Sequence, residues 1–298
     1  MTALHPLQAH SGRGTRAAWL ADLAVAALVD EAMLTPKPGL VDMRGSGAHR
    51  DLSWLLMCHS AHALHPGFAA MAHAGATIGD LPSLRRRIGA IGRAAEATMM
   101  AATGGVNTHR GAIWALGLLV TAAARGPAPP AAIAERAGTL ACLADPGAPA
   151  CTGNKGEQAR KAYGVGGARS QAEAGFPHVI GMALPMLRAS RRRGDGESAA
   201  RLNALLAIVA DLDDTCLLAR GGPPALAAAQ SGAQAVLDAG GVANPAGQAA
   251  LRDLEADMLA RRISPGGAAD LLAATLLLDA LANEQPQAME GHDGAIAV

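Results

Sequence analysis

Long segments rich in alanine and leucine alternate with short segments rich in glycine and proline along most of the chain. Clear apolar segments cover residues 17–34, 112–124 and 201–218. The first ends at TPKPG (residues 35–39), where two prolines disfavour continued helix. Hydrophobic residues make up 50% of the chain but aromatic residues only 2%, which suits closely approaching helices better than a sheet. The pattern predicts an all-α, single-domain multi-helix bundle with its site at helix ends and polar loops.

The expected domain organisation is simple. A helical catalytic domain is predicted over residues 17–282, between a flexible N-terminal tail (1–16) and a flexible C-terminal tail (283–298). A chain of 298 residues can bury a substantial core.

Charge and cysteine usage exclude several classes of protein. The formal net charge of +0 argues against a nucleic-acid binder with a broad basic surface. Acidic residues interrupt the apolar segment at 17–34, which disfavours a membrane span. The cysteines show no Cys-x-x-Cys spacing and no export signal accompanies them, so we expect reduced thiols in a cytoplasmic protein.

Residues 103–111 (TGGVNTHRG) form a polar, glycine-bracketed stretch that leads into an apolar helix. The glycines allow a ligand to approach the backbone closely, and four consecutive side chains can form hydrogen bonds: Asn107, Thr108, His109 and Arg110. Free N–H groups at the start of the helix favour an anion such as phosphate. The alternative is an ordinary loop in which Asn107 or Thr108 caps the helix.

A second candidate site lies in the helix predicted over residues 201–218. Asp211 and Asp214 are three residues apart, which on a helix puts both carboxylates on one face. Carboxylates in an apolar helix need partners, and Mg²⁺ that also carries substrate phosphates is a candidate. Ion pairs with nearby arginines are the alternative. Arg220, in a glycine- and proline-rich segment expected to end the helix, adds a guanidinium.

Polar side chains also gather at two other places. Glu31, Lys37 and Asp42 cluster about the proline turn. Arg169 and Glu173 are four residues apart, so on a helix they can pair with each other or address one ligand.

The remaining segments give weaker indications. One helix is expected over about residues 52–72, and the stretch 143–167 predicts a long ordered loop or a mobile lid. The later helices, after residue 224, are interpreted as scaffold. No phosphate loop, dinucleotide fingerprint or Gly-x-Ser-x-Gly elbow is present. The residues alone predict a mostly helical protein with a site that handles phosphate.

Five ordered motifs resemble the triphosphoribosyl-dephospho-coenzyme A synthase family. They are LTPKPGLVD (34–42), HRD (49–51), GVNTHRGA (105–112), GAR through EAGFP (167–177) and DT through RGG (214–222). The resemblance covers about residues 17–282. Arg110 stands where many members have lysine, and Cys216 where asparagine is expected. Arginine keeps the positive charge of lysine but changes the geometry of its donors. The resemblance therefore implies a phosphate contact for Arg110 and no role that is specific to lysine.

The resemblance implies a transferase that joins ATP to 3′-dephospho-coenzyme A, releases adenine and forms 2′-(5″-triphosphoribosyl)-3′-dephospho-coenzyme A. That product is the prosthetic-group precursor for the acyl carrier protein of malonate decarboxylase or citrate lyase. Many arginines, few lysines, and abundant alanine and glycine are typical of a GC-rich bacterial genome and favour the malonate system. A carrier-protein transferase is the expected downstream partner.

The implied chemistry needs a base for the acceptor hydroxyl, a negative environment for an oxocarbenium-like transition state and a donor to the departing purine. Asp211 and Asp214 are expected to bind Mg²⁺ and the triphosphate. The base is expected among Glu31, Asp42, His109 and Glu173. The residues expected to bind phosphate, adenine or ribose are Lys37, Asn107, Thr108, Arg110, Arg169 and Arg220.

Two other functions stay open on the sequence alone. A Mg²⁺-dependent ADP-ribosyl or nucleoside hydrolase would use water in place of the ribose hydroxyl. A helical assembly factor would bind coenzyme A or the carrier protein without catalysis.

Overall fold

A computed structural model describes residues 12–283, and within that range the backbone is helical, apart from loops and one isolated bridge between Asp42 and Gly45. The all-α prediction is therefore confirmed. The predicted tails lie mostly outside the described residues. The helices are α1 (Gly12–Met33), α2 (Trp54–Ala63), α3 (His65–Thr77), α4 (Leu81–Ala102), α5 (Arg110–Ala124), α6 (Pro130–Cys142), α7 (Lys155–Tyr163), α8 (Gly167–Glu173), α9 (Leu184–Arg193), α10 (Glu197–Val209), α11 (Thr215–Asp238), α12 (Pro245–Arg261) and α13 (Gly266–Asn283). A π-helical turn, Val179–Ala183, leads directly into α9.

Helices α5 and α13 form the centre of the bundle. They pack against each other, and α1 packs against both. Helix α5 also contacts α3, α4 and α6, and α13 contacts α10 and α11. Every residue of α5 from Ala115 to Ala124 is buried. This arrangement brings the first turns of α5 and α13 to the interior of the molecule.

Small residues allow the central helices to approach closely. At Gly75 of α3, a Cβ atom would stand 2.3 Å from the carbonyl oxygen of Thr121 in α5. Any larger residue at position 75 would therefore push the two helices apart. This contact explains how a core with few aromatic residues fills its interior.

The helix expected over residues 52–72 is two helices in the structure. Helix α2 ends at Ala63 and α3 begins at His65, with Pro66 in its first turn. A proline is tolerated there because a first-turn N–H has no partner within its own helix. The single-helix prediction was wrong at this point.

The prediction of one helix over residues 201–218 was also wrong. Helix α10 ends at Val209, and α11 begins at Thr215 with Asp214 as its N-cap. Helix α11 then continues past Arg220, with a kink at Gly222, where the sequence predicted its end. The connection after α10 matters for the site, because it separates Asp211 from Asp214.

The stretch 143–167 is only partly a loop, because α7 (Lys155–Tyr163) lies within it and packs against α11. Helix α13 is long and apolar enough to cross a membrane, yet 61% of it is buried inside the fold. A core helix passes the same test, so the expected absence of a membrane partner stays a prediction.

Candidate active site

The proline turn after α1 holds a buried ion pair. The Lys37 ammonium contacts both a carboxylate oxygen and the backbone carbonyl oxygen of Glu31, each at 2.5 Å. Both side chains are almost fully buried. Burying charges is costly unless they are paired and hydrogen-bonded, and the rigid turn brings Lys37 back onto the last turns of α1. The sequence-predicted residues Glu31 and Lys37 therefore meet.

Asp42 is buried beside this pair and is held by several donors. Its carboxylate accepts hydrogen bonds from the Lys37 N–H at 3.0 Å and from Arg44 Nη2 at 2.7 Å. Arg44 also pairs with Glu255 of α12. Burial by itself would raise the pKa of Asp42, but these bonds hold it below its ordinary value. Asp42 is thus an ionised anchor whose oxygens are already engaged.

His109 is buried just before α5. Its Nδ1 lies 3.0 Å from Ser60 Oγ, which in turn lies 2.6 Å from Thr108 Oγ1. Burial, and then the charge of Lys37, lower the pKa of His109 to about 3. The imidazole is therefore neutral near pH 7. Its Nε2 atom is buried and has no hydrogen-bond partner among the described residues, which leaves one polar atom available to a ligand.

The loop before α5 is open on one side. Gly104 and Gly105 adopt positive φ angles of 64° and 91°, and no atom lies within 4 Å of the Cβ position at either residue. Asn107 Oδ1 accepts a hydrogen bond from the Arg110 N–H at 3.2 Å. The N-cap residue of α5 is His109, and its side chain makes no capping bond. Asn107, two residues earlier, satisfies the first N–H of the helix, so neither Asn107 nor Thr108 is the N-cap that the alternative interpretation proposed. The Arg110 guanidinium pairs with Glu96 at the edge of the site.

Asp214 joins the first turns of two helices. One carboxylate oxygen accepts the Cys216 N–H at 2.7 Å, and the other accepts the Ala268 N–H of α13 at 3.0 Å. Burial raises the pKa of Asp214, and these N–H bonds oppose that shift. The carboxylate thus stabilises the N-termini of both α11 and α13.

The magnesium prediction for Asp211 and Asp214 rested on a shared helical face, and that premise was wrong. The Asp211 side chain is 65% exposed and lies 3.1 Å from His178 Nε2, whereas Asp214 is 2% exposed and faces backbone N–H groups. No group of three or more potential ligands suited to a metal ion occurs within residues 12–283. These two aspartates do not fit a magnesium site.

Asp270 of α13 was missed at the sequence level, because the later helices were interpreted as scaffold. Its carboxylate lies at the first turn of α5, where the Ala112 N–H lowers its pKa and so opposes the effect of burial. A Cβ atom at Gly111 would stand 2.0 Å from Asp270 Oδ2. A charged residue within an otherwise apolar helix was the available signal. Asn107 occupies the Arg110 N–H, and Asp270 lies close to the Ala112 N–H; both N–H groups were predicted to be free for phosphate.

Arg220 lies at the rim of this centre. Its Nη2 donates to His49 Nδ1 at 3.0 Å, so the other nitrogen of that ring donates to Ser264 Oγ at 3.1 Å. Burial, followed by the charge of Arg220, lowers the pKa of His49 to about 4. Lys155, at the start of α7, is close enough to contribute to that shift.

Arg169 and Glu173 are not part of the buried centre. They pair with each other along α8 at 2.7 Å. Glu173 lines an open groove of about 400 Å³ between α6 and α8, together with Glu135 and Cys142. None of the buried charged residues described above lines this groove, so the groove does not mark the reaction centre.

A buried lysine, a neutral histidine and several carboxylates at the first turns of α5, α11 and α13 define an all-α enzyme with a charged interior centre. The chain belongs to the ATP:dephospho-CoA triphosphoribosyl transferase family, whose model matches residues 17–288. It is a transferase, and the family predicted from the five motifs is confirmed.

Curated relatives are similar over nearly their whole length. A probable 2-(5″-triphosphoribosyl)-3′-dephosphocoenzyme-A synthase of Azotobacter vinelandii is 58% identical over 264 residues, covering 88% of this chain and 90% of the relative. The 2-(5″-triphosphoribosyl)-3′-dephosphocoenzyme-A synthase of Klebsiella pneumoniae is 54% identical over 284 residues, covering 95% of this chain and 100% of the relative. No solved structure matches the chain.

Proposed function

We propose that the enzyme transfers the triphosphoribosyl group of ATP to the ribose 2′-hydroxyl of 3′-dephospho-coenzyme A and releases adenine. The observation that carries this proposal is the proximity of Glu31, Lys37, His109, Asp214 and Asp270, which lie close enough for their charges to shift pKa values within the group. The first four are buried and Asp270 is partly exposed. The names of the two relatives describe the same product.

The geometry suits ribosyl transfer. As adenine leaves, positive charge develops on the anomeric carbon and the ring oxygen, and buried carboxylates stabilise that charge strongly in a site that excludes water. The neutral His109 has an unpartnered Nε2, which we assign to a hydrogen bond with the substrate. A single displacement inverts the anomeric centre and converts a β-nucleoside into an α-ribosyl linkage.

Phosphate groups fit best at the rim. Arg110 lies beside Glu96, and Arg220 lies beside His49. Gly104 and Gly105 leave open space for a phosphate to approach the backbone. We propose that Mg²⁺ enters with ATP, bound to the triphosphate oxygens, since Asp211 and Asp214 do not fit a site for it.

The test is adenine release that depends on the acceptor. Purified protein with MgATP and 3′-dephospho-coenzyme A should yield free adenine and a product heavier by one triphosphoribosyl unit, measured by chromatography and mass spectrometry. Equal adenine release without the acceptor would favour the hydrolase. Binding of 3′-dephospho-coenzyme A without any adenine would favour the assembly factor. Release of phosphate in place of adenine would contradict the proposal.

We propose further that the product serves malonate decarboxylase, through a cytoplasmic carrier-protein transferase. The arginine-rich, lysine-poor composition supports this assignment over citrate lyase. Deleting the gene in its source bacterium should abolish malonate decarboxylation and leave citrate cleavage intact, with the reintroduced gene as control. Loss of citrate cleavage alone would reverse the assignment.

A further inference from the structure

Helix α13 carries two carboxylates in an otherwise apolar sequence, and only one of them has an ion-pair partner. Asp279 is paired with Arg191 at 2.5 Å, and Arg188 lies 3.6 Å away. Asp270 takes part in none of the ion pairs of the described residues; its contacts are with the first turn of α5. Asp270 is only partly exposed, and an unpaired carboxylate that has lost part of its contact with water lowers stability. Asp270 lies near the start of α13, at the end of the helix beside the reaction centre. A residue that lowers stability at such a position points to a functional role.

The Asp270 carboxylate occupies space that is left by the absence of a side chain at Gly111. Gly111 follows Arg110 in α5, and any side chain at this position would collide with Asp270 Oδ2. The Ala112 N–H lies close enough to the carboxylate to lower its pKa. The buried Nε2 of His109, two residues before Gly111, has no hydrogen-bond partner among the described residues, and this is a second and independent indication of a ligand near the start of α5.

The other candidate bases either already bind other groups of the protein or are too weak to accept a proton near pH 7. The Glu31 carboxylate is bound by Lys37, and Asp42 is bound by Arg44 and backbone N–H groups. Asp214 uses both oxygens to cap helices. His109, with a pKa of about 3, is a poor proton acceptor near pH 7. Glu173 lies on α8, paired with Arg169.

We propose that Asp270 is the general base that accepts the proton of the acceptor 2′-hydroxyl, an inference that rests on the proposed function. The bond from O2′ to the anomeric carbon forms while the bond from that carbon to N9 of adenine breaks. The N9 electron pair leaves on adenine, which takes up one proton, and Asp270 receives the proton from O2′. The net number of protons is unchanged.

The surroundings of Asp270 suit this role. Burial, followed by the negative charges of Glu31 and Asp214, raises its pKa well above the ordinary value, which makes the ionised carboxylate a stronger base. The titratable groups nearby are Glu31, with its partner Lys37, on the α1 side, Asp214 and Cys216 at the start of α11, and His109 before α5.

The decisive variant is Asp270→Asn, which keeps the shape and an acceptor for the Ala112 N–H. We expect kcat to fall by about 10²–10⁴-fold, the KM for ATP to change little, and the acid limb of the kcat–pH profile to disappear. The melting temperature should stay the same or rise, because an unpaired, partly desolvated charge is removed. Asp279→Asn is the matched control on the same helix; it loses the Arg191 partner, so stability should fall while kcat persists below the melting range.

A second variant tests the proposal if the Asp270→Asn variant folds poorly. Asp270→Ala leaves room for formate, and added formate should restore part of the lost kcat, which a purely structural carboxylate would not require. Wild-type kcat in Asp270→Asn, or an unchanged acid limb together with no formate rescue, would overturn the proposal. Failure of the wild-type enzyme to release adenine would instead refute the proposed function, so the two failures are distinguishable.

Discussion

His109 and His49 show how burial fixes the protonation state of single residues. The pKa of His109 is lowered to about 3 by burial and by Lys37, and that of His49 to about 4 by burial and by Arg220. Both folded-state values lie below the value of 6.5 for a free histidine. The unfolded chain therefore binds more protons than the folded chain between these values, and stability falls as the pH is lowered through that window.

The His109→Gln variant tests this linkage. In the wild type, the free energy of unfolding should decrease between pH 6.5 and pH 4, with His109 contributing a slope of up to about 1.4 kcal/mol per pH unit. The variant should show a shallower decrease, because glutamine does not titrate. Urea unfolding at a series of pH values measures the slopes, and exposed His59 supplies the control substitution His59→Gln. Equal slopes in wild type and His109→Gln would contradict the assignment.

At the scale of elements, the kink in α11 connects the site to the outer scaffold. Gly222 has φ 65° and ψ −165°, a conformation that only glycine adopts readily, and Pro223 and Pro224 follow it. The segment before the kink carries Cys216 and Arg220 beside the site, and α12 packs against α11. The kink thus sets the direction from which Arg220 reaches His49.

The Gly222→Ala variant should therefore affect both stability and substrate binding. We expect a loss of about 1–3 kcal/mol in the free energy of unfolding, because alanine is strained in this conformation. A displaced Arg220 should also raise the KM for ATP. Gly92→Ala, in the interior of α4 with only an ordinary contact to Met71, is the control and should not destabilise the protein. If both parameters stayed at wild-type values, the proposed role of the kink would be wrong.

At the scale of the whole molecule, the core supplies the free energy that holds the charged centre together. Leu271, Leu272, Leu277 and Leu278 of α13 are buried in the shared core. Each contributes about 1.5–3 kcal/mol by burial, so together they outweigh the cost of partly desolvating one unpaired carboxylate. Helix α13 can therefore hold the partly exposed Asp270 beside the site without losing its place in the fold.

The sequence by itself determined the helical class, the family and the residues of local turns. The helical segments follow from apolar stretches, and the end of α1 follows from the prolines after it, although the ends of α2, α10 and α11 were predicted wrongly. The proline turn brings Lys37 to Glu31 within six residues. The bond from the Arg110 N–H to Asn107 is equally local. Such features depend on short stretches of chain, so patterns of residues predict them well.

Only the tertiary structure decided how the site is assembled. Asp214 bonds to a backbone N–H 54 residues away, and Asp270 meets the start of α5 across the bundle. Asp211, three residues from Asp214, lies on the surface because α10 ends before both of them. No local pattern specifies these contacts. They depend on which helix ends are brought together in the interior, and the packing of the whole apolar core decides that.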